Sequence, residues 1–324
     1  MSSNDVRVSY RRYNDILSLL EDEPHIESIL LTTQTEPGDL SASCFRLEYS
    51  DLMVQQYYAD KRLQMSLRYS TGWTRFLLYT GKQPDSTWQG VHFKPNSLVV
   101  VPDVEGVYSI GSGHQDTSIH VSQSLLEEMG VSTERWTRSS DIKECFLEVP
   151  PAMASEINKA LDDLKSRYTF DDGKPFTSLL NPDLAGQLRS RLFEIIAYGL
   201  TNADSGAQTK KPSRRFQLVQ RALNHVAVME DDQVTELTVD DWSEAIGASR
   251  KTLLRAFSDV LYIAPYRFLL HLRLNVAHRD LQSGAKSVLE VSTRCGFSKP
   301  GDFATFYKEF YGVLPSDTLA QSKK

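Results

Sequence analysis

The sequence predicts an α+β multidomain chain: an N-terminal all-β barrel, a helical segment behind it, and a C-terminal all-α domain. Three observations carry this reading. Residues 27–122 alternate short apolar runs with turn-prone stretches, the rhythm of antiparallel strands in a small barrel or sandwich. Residues 151–200 and 214–322 instead space apolar side chains three and four apart, the period of helices buried on one face. Between those two helical stretches, Thr201 to Ser213 is polar, carries Gly, Ser and Pro and has no apolar period, which marks a flexible connection. The expected units are a β domain at 25–150, a helical segment at 151–202, a linker at 203–213 and an all-α domain at 214–322.

The chain has 324 residues, 40% hydrophobic and 24% charged, an ordinary globular composition long enough for roughly two domains. No apolar run reaches the roughly 18 residues of a membrane helix, and the N-terminus lacks a basic stretch followed by an apolar one. A cytoplasmic protein with no membrane association is expected. Cys44, Cys145 and Cys295 are too few and too scattered for a disulfide framework or a zinc clamp. The net charge of −6 is uneven: residues 1–212 carry a balance of −8 and residues 213–324 one of +2. Contact with a polyanion must therefore come from a local basic face in the C-terminal third.

In the β region, strands are expected at Ile29-Leu-Leu-Thr, Cys44-Phe-Arg-Leu-Glu-Tyr, Leu52-Met-Val-Gln-Gln-Tyr-Tyr, Arg75-Phe-Leu-Leu-Tyr, Leu98-Val-Val-Val and Ser118-Ile-His-Val. Aromatic residues are dense there: Tyr57, Tyr58, Tyr69, Trp73, Phe76, Tyr79, Trp88, Phe93 and Tyr108. A small barrel can enclose one small molecule, although a core accounts for most such rings equally well. Metal catalysis finds no support, because His92, His114 and His120 form no His-x-His pair, and two ligands on one strand must stand an even number of residues apart and close together. No metal and no cofactor are expected. No phosphate-binding loop or dinucleotide glycine fingerprint is present, and Gly111-Ser-Gly-His reads as a turn. The chain is not expected to be an enzyme.

Behind the strands, Met153, Ile157, Ala160, Leu161 and Leu164 form one helical stripe; Leu188, Leu192, Ile195, Ile196 and Leu200 form another. The second stripe suits a dimer seam, so a homodimer is expected; packing against the β domain would explain the same spacing.

The last third repeats one arrangement twice. Thr238 stands three residues before Asp241, a capping-box spacing, ahead of Trp242, Ala245 and Ile246 and a stop at Gly247. Ser249 can cap a second helix that turns Leu253, Ala256, Phe257 and Val260 inward. Ser287 likewise precedes Glu290 by three, followed by Val288, Val291 and Cys295, a stop at Gly296, and Pro300 opening a helix with Phe303, Tyr307 and Phe310 inward, ended by Gly312. A short helix, a tight turn and an amphipathic second helix make a helix-turn-helix unit, whose second helix can lie in a DNA major groove. The two units are joined by one helix over 264–281, about 27 Å long at 1.5 Å per residue. That length places the two second helices about one DNA turn, ~34 Å, apart on one face of a duplex.

The segment resembles the DNA-binding domain of the AraC/XylS family of transcription regulators. The matching residues are Ser249, Leu253, Arg255 and Phe257; Arg273, Leu274, Ala277 and Leu281; Gly296, Phe297, Phe303 and Tyr307; and Gly312 with Pro315. The end of the chain is similar to a subgroup containing ethanolamine-operon regulators. Ser292 stands where the family usually has a small Ala, and Thr318 where it usually has Tyr. The resemblance implies that Lys251, Leu254 and Arg255 reach base edges, flanked by Arg250 and Thr252. On the second helix it assigns groove-facing positions to Pro300, Gly301, Asp302, Ala304 and Thr305, a poor set of readers. Lys299 and Lys308 are expected on phosphates, with Arg214, Arg215 and Arg221 as further phosphate candidates. The region at 25–150 resembles, in architecture, the cupin-like effector-sensing domain of such regulators, and 151–202 their dimerisation segment. The implied function is a ligand-responsive regulator, more an activator than a repressor. Its partners would be double-stranded promoter DNA, a second copy, RNA polymerase if it activates, and an unidentified small effector. In the alternative reading the N-terminal domain only dimerises or binds a protein partner; a metal-dependent cupin enzyme fused to a DNA-binding domain is a remote third.

Overall fold

The structure is a computed structural model and describes residues 6–81, 85–101, 106–133, 136, 145–168, 170, 174–202 and 213–322. Chain order begins with β1 (Arg7–Tyr13), α1 (Ile16–Glu21), β2 (Ile26–Gln34), β3 (Ala42–Glu48), β4 (Leu52–Ala59), β5 (Leu63–Tyr69) and β6 (Trp73–Tyr79). It continues through β7 (Thr87–Trp88), β8 (Val91–His92), β9 (Ser97–Val101), β10 (Gly106–Ile110) and β11 (His114–Ser122). Then come α2 (Gln123–Glu128), β12 (Phe146–Glu148), α3 (Pro151–Lys165), β13 (Phe176–Leu179) and α4 (Pro182–Thr201). Gly111 and Ser112 form the turn between β10 and β11, as expected. The three cysteines are free and buried.

The strands form two antiparallel sheets, one of eight in the order β12-β9-β6-β11-β4-β3-β1-β13 and one of five in the order β2-β5-β10-β7-β8. Each sheet keeps two edges, so the expected barrel is not closed. The eight-stranded sheet has its apolar surface covered by helices rather than by curling on itself. Ala154, Ile157, Leu161 and Leu164 of α3 and Leu188, Leu192, Ile195 and Ile196 of α4 are buried in one core with Phe45, Leu47, Phe76, Leu98 and Val99. Polar ties hold the helices in place: Arg189 pairs with both carboxylate oxygens of Asp51 at 2.6 and 2.7 Å, and the Tyr49 hydroxyl donates to the Ala185 carbonyl at 2.9 Å. The stripe expected to form a dimer seam is therefore spent inside the subunit, with Leu200 also packed against that core. Covering the sheet wins because both faces of β9 are apolar, and a strand with five buried residues in a row needs a layer on each side.

The C-terminal part is wholly helical among its described residues: α5 (Arg214–Ala227), α6 (Asp231–Glu236), α7 (Val239–Ala245), α8 (Arg250–Leu261), α9 (Pro265–Gln282), α10 (Val288–Arg294), α11 (Pro300–Tyr311) and α12 (Pro315–Ser322). It holds two cores. Trp242, Phe257 and Phe268 meet in the first, with ring centroids 5.0 to 6.1 Å apart. Val291, Cys295, Phe303, Tyr307 and Phe310 form the second. Helix α9 is shared: Phe268, Leu269 and Leu272 enter the first core and Leu274, Val276, Ala277 and Leu281 the second. His271 of α9, 8% exposed, stacks on Phe310 with centroids 4.5 Å apart.

The β domain docks on this helical part. Leu31 of β2 and Val107 of β10 belong to the first helical core rather than to the β core. Phe216 of α5 lies so close over Gly90 that a Cβ there would stand 2.2 Å from the ring. Asn275 of α9 donates to the Thr33 hydroxyl, and the Gly38 amide donates to the Phe310 carbonyl.

Two predictions follow from this packing. Gly90 has φ +71°, a left-handed conformation, so Gly90→Ala combines that strain with the Phe216 clash and should lower stability by about 1–3 kcal/mol in urea titration. In a Phe216→Ala background the added cost should fall to the backbone penalty alone, about 1 kcal/mol; an unchanged cost would refute the contact. Burial, aided by the Arg267 charge, lowers the His271 pKa to about 4, against about 6.5 in an unfolded chain. The folded state then binds fewer protons than the unfolded one between those values. Stability is complete above pH ~6.5 and is lost as pH falls towards ~4, by at most about 3 kcal/mol from this group. A pH series of urea titrations on His271→Leu should show a correspondingly shallower acid decline.

Candidate nucleic-acid interface

The first unit forms as its capping residues dictate. The Thr238 hydroxyl accepts from the Asp241 amide while the Asp241 carboxylate accepts from the Thr238 amide, a complete capping box that starts α7. Trp242 locks α7 to α5 by donating its indole N–H to the Ala222 carbonyl at 3.0 Å. Gly247 turns the chain at φ +64°, and Ser249 caps α8 by accepting from the Thr252 amide. Helix α8 buries Leu253, Ala256, Phe257 and Leu261, which turns its other side outward.

In the second unit Ser287 caps α10 by accepting from the Glu290 amide. Gly296 takes φ +77°, and a Cβ there would meet the Thr235 carbonyl oxygen at 2.6 Å, so only glycine fits between the two units. Pro300 opens α11, and Gly312 ends it at φ +76°. The two residues that depart from the family pattern are accommodated. Ser292 is buried with its hydroxyl donating to the Leu289 carbonyl, and Thr318 accepts from the Tyr307 hydroxyl at 3.0 Å.

The structure brings the expected residues onto two outward faces. Arg250, Lys251, Thr252 and Arg255 are exposed on α8, and Leu254 is half-buried at its flank. Lys299, Gly301, Asp302, Thr305 and Lys308 are exposed on or beside α11, with Ala304 half-buried. The faces are not equally free. Arg250 is held by Asp240 of α7 at 2.6 Å, and the Thr252 hydroxyl is bonded to that of Ser249 at 2.7 Å. The Thr305 hydroxyl donates to the Gly301 carbonyl at 2.9 Å. Arg215 is paired with Asp259 at the far end of α8. Lys251 and Arg255 have no ion pair among the described residues.

Electrostatics add to the asymmetry. A helix N-terminus attracts phosphate through its free amides; the first turn of α8 carries Arg250 and Lys251 and no acid, whereas that of α11 carries Asp302. The contacts that tie the β domain to these helices lie at their opposite ends. Tyr262, which follows α8, faces His92 at 3.4 Å and lies under the Arg62 guanidinium at 5.5 Å, and Phe310 near the end of α11 receives the Gly38 amide.

Sequence reasoning left the effector site unassigned. Between the two sheets lies a cavity of about 60 Å3 lined by Glu23, Tyr57, Tyr69, Arg75, Phe93, Tyr108, His114 and Asp116, among others. Several of the aromatic residues singled out from the sequence thus line it, while Phe76 and Tyr79 are core. His114 and its neighbour Asp116 stand out in the sequence only as weighed and rejected metal ligands, and Glu23 does not stand out at all. The detectable signal was Arg75 opening an otherwise apolar strand. His114 bonds Ser86 and Asp116, each at 2.9 Å, and His120 bonds Ser118 at 2.8 Å. Among the described residues no group of three or more His, Cys, Asp or Glu side chains could hold a metal ion, and no helix is long and apolar enough to cross a membrane.

Residues 242–321 match a family model described as a helix-turn-helix domain. The chain is 34% identical over 98 residues to the HTH-type transcriptional regulator ArgR of Pseudomonas aeruginosa, covering 30% of each protein. It is 32% identical over 92 residues to the HTH-type transcriptional activator RhaS of Escherichia coli, covering 28% of this chain and 33% of that one. Among solved structures, an AraC-type DNA-binding regulator from Chromobacterium violaceum is 31% identical, with 33% of this chain and 94% of that chain covered and a TM-score of 0.30. The chain spans about a third of the length of the curated relatives it matches. Residues 242–321, with two capped and braced helical units, are a DNA-binding helix-turn-helix domain of the AraC type.

Proposed function

We propose that the chain is a sequence-specific transcription regulator that lays α8 and α11 in two adjacent major grooves of promoter DNA and responds to a small molecule held by its β domain. The observation that carries the reading is the pair of outward faces on α8 and α11, each braced from behind by its own core and both fixed to the single helix α9. Arg255 and Lys251 read bases on α8, Leu254 offers an apolar contact, and Arg250 and Thr252 contribute once released from Asp240 and Ser249. Helix α11 docks by shape and backbone, through the Gly301 amide and with Lys299 and Lys308 on phosphates; Asp302 reads nothing unless a cytosine amino group faces it.

The β domain at 25–150, extended by β1 and β13, is read as a cupin-like sensor, on the strength of its largely apolar cavity with a few buried charged groups. RhaS is named as an activator, and activation through RNA polymerase is the reading adopted for this chain. A homodimer forms through a surface other than the buried stripe of α4. A β domain that only binds a protein partner or a second copy would need no cavity, so the ligand reading is preferred.

The test is selection of bound sequences from random duplexes by the full chain, followed by footprinting. Protection of two groove segments about 10 base pairs apart is expected; no enrichment over random fragments would overturn the function. In gel shifts on the selected site, Arg255→Ala should weaken binding by about 1–3 kcal/mol, roughly 5- to 150-fold. Thr305→Ala should stay within about 0.5 kcal/mol, near twofold, because its hydroxyl is already spent inside the helix. Equal losses would refute the asymmetry of the two helices.

A further inference from the structure

The cavity between the sheets contains polar atoms that the fold leaves without partners. Glu23 is 5% exposed; its Oε2 accepts from the Tyr57 hydroxyl, but its Oε1 has no hydrogen-bond partner. Asp116 stands directly across from Tyr57 in the β4–β11 register. Its Oδ2 bonds His114 at 2.9 Å, and its Oδ1 is likewise unpartnered. The Tyr108 hydroxyl, in a residue 4% exposed on the facing sheet, is a third orphan. A buried acceptor left unmade is costly, the more so on a carboxylate, and native proteins satisfy nearly all such atoms.

The one strong donor nearby is already engaged. The buried Arg75 guanidinium donates from Nε to the Ser118 hydroxyl at 2.7 Å and from Nη1 to the Tyr69 hydroxyl, and it lies 4.8 Å from the Tyr69 ring centre and 5.7 Å from that of Tyr108. His25 and His120 are kept neutral by burial and by the Arg75 charge beside them. Two carboxylates, Glu23 and Asp116, thus share one buried guanidinium in the cavity, which leaves the site one positive charge short. The aromatic walls suit a positive charge too, because ring faces attract cations in a desolvated pocket. Burial pushes Glu23 above the usual carboxylate range, which favours its neutral form until a cation comes to lie beside it. At about one water per 10–15 Å3 of such space, the cavity holds roughly four to six water-sized groups. The exposed ring of Tyr58 stands at its solvent side.

We infer that this cavity is the effector site and that it takes a small aliphatic ammonium compound, its N–H groups donating to Glu23 Oε1 and Asp116 Oδ1 and its carbon chain packed among Tyr57, Tyr69, Phe93 and Tyr108. The inference rests on the reading of the β domain as a ligand sensor and adds the chemical class. An anion would meet two carboxylates and a guanidinium that is already paired. A neutral alcohol would bring one donor and no charge. A quaternary ammonium would satisfy the rings but neither oxygen.

The full chain is titrated calorimetrically with n-propylammonium, 1-propanol, propionate and tetramethylammonium, and DNA affinity is measured in parallel on the selected duplex. Saturable binding of propylammonium is expected, at least tenfold tighter than that of the other three. Glu23→Gln and Asp116→Asn should each weaken it at least tenfold while circular dichroism stays unchanged. Asp39→Asn, in the separate cleft between the β and helical parts, should leave it unchanged. Equal or tighter binding of propionate or propanol, no binding of propylammonium, or indifference to both cavity variants overturns the cation class. Propionate binding that the cavity variants abolish and that shifts DNA affinity would overturn the class yet keep the sensor. Propylammonium binding that the variants abolish but that leaves DNA affinity unmoved would keep the class and remove the sensor role.

Discussion

The arrangement of the helical part depends on one constraint: α9 is buried on two sides by two different cores. Phe268, Leu269 and Leu272 face Trp242 and Phe257; Leu274, Ala277 and Leu281 face Phe303 and Tyr307. Burying side chains of this size stabilises by roughly 1.5–3 kcal/mol each, so any rotation of α9 that relaxes one core exposes the other. The helix therefore buries side chains on two of its sides and keeps Tyr266, Arg267, Arg279 and Gln282 exposed. Its 18 residues span about 27 Å, and the units at its ends inherit a fixed separation and a fixed relative turn. Two weak grips held at fixed spacing act as one strong one, since the second docks without a further loss of rotational freedom.

The constraint leaves the two reading helices equivalent in position and unequal in chemistry. Helix α8 presents two cations at its N-terminus and a free Arg255 one turn on. Helix α11 presents Asp302 at the matching place and a threonine bonded to its own backbone. Field and donors both make the α8 face the more attractive one for an anion. The Arg250–Asp240 pair is exposed, worth about 0–1 kcal/mol, so a phosphate or a guanine competes for Arg250 at little cost. Arg215, paired with Asp259, is in the same position.

Legibility in the sequence followed the range of the interactions. Caps and stops are local, and Thr238, Ser249, Ser287, Gly247, Gly296, Pro300 and Gly312 each stand where their side chains or permissive backbones predict. The inward stripes of α8 and α11 follow from a period of 3.6 alone. Barrel closure depends on which edge meets which, and β13, drawn from a stretch expected to be helical, pairs with β1, drawn from before the expected domain. No local pattern carries that pairing. The stripe of α4 shows the same limit from another side: periodicity states that a face is buried, and only the tertiary structure states against what. The cavity was illegible because Glu23 lies between α1 and β2, Arg75 on β6 and Asp116 on β11, and each looks like an ordinary charge.

One strand joins the two halves of the molecule. In β10, side chains alternate between the faces of the five-stranded sheet, so consecutive residues serve different cores. Tyr108 points into the cavity, where its hydroxyl is orphaned, while Val107 is buried in the core of the first helix-turn-helix unit beside Phe216. Strand β2 repeats the pattern, with Ile26 on the cavity and Leu31 in the helical core. Close-packed cores resist small displacements and pass them on rather than absorbing them. On the proposed reading, a group that fills the cavity and draws in the Tyr108 hydroxyl would act on a strand whose other face is already part of the first helical core. No element needs to travel between the cavity and the helices, because a single layer of β-sheet separates them.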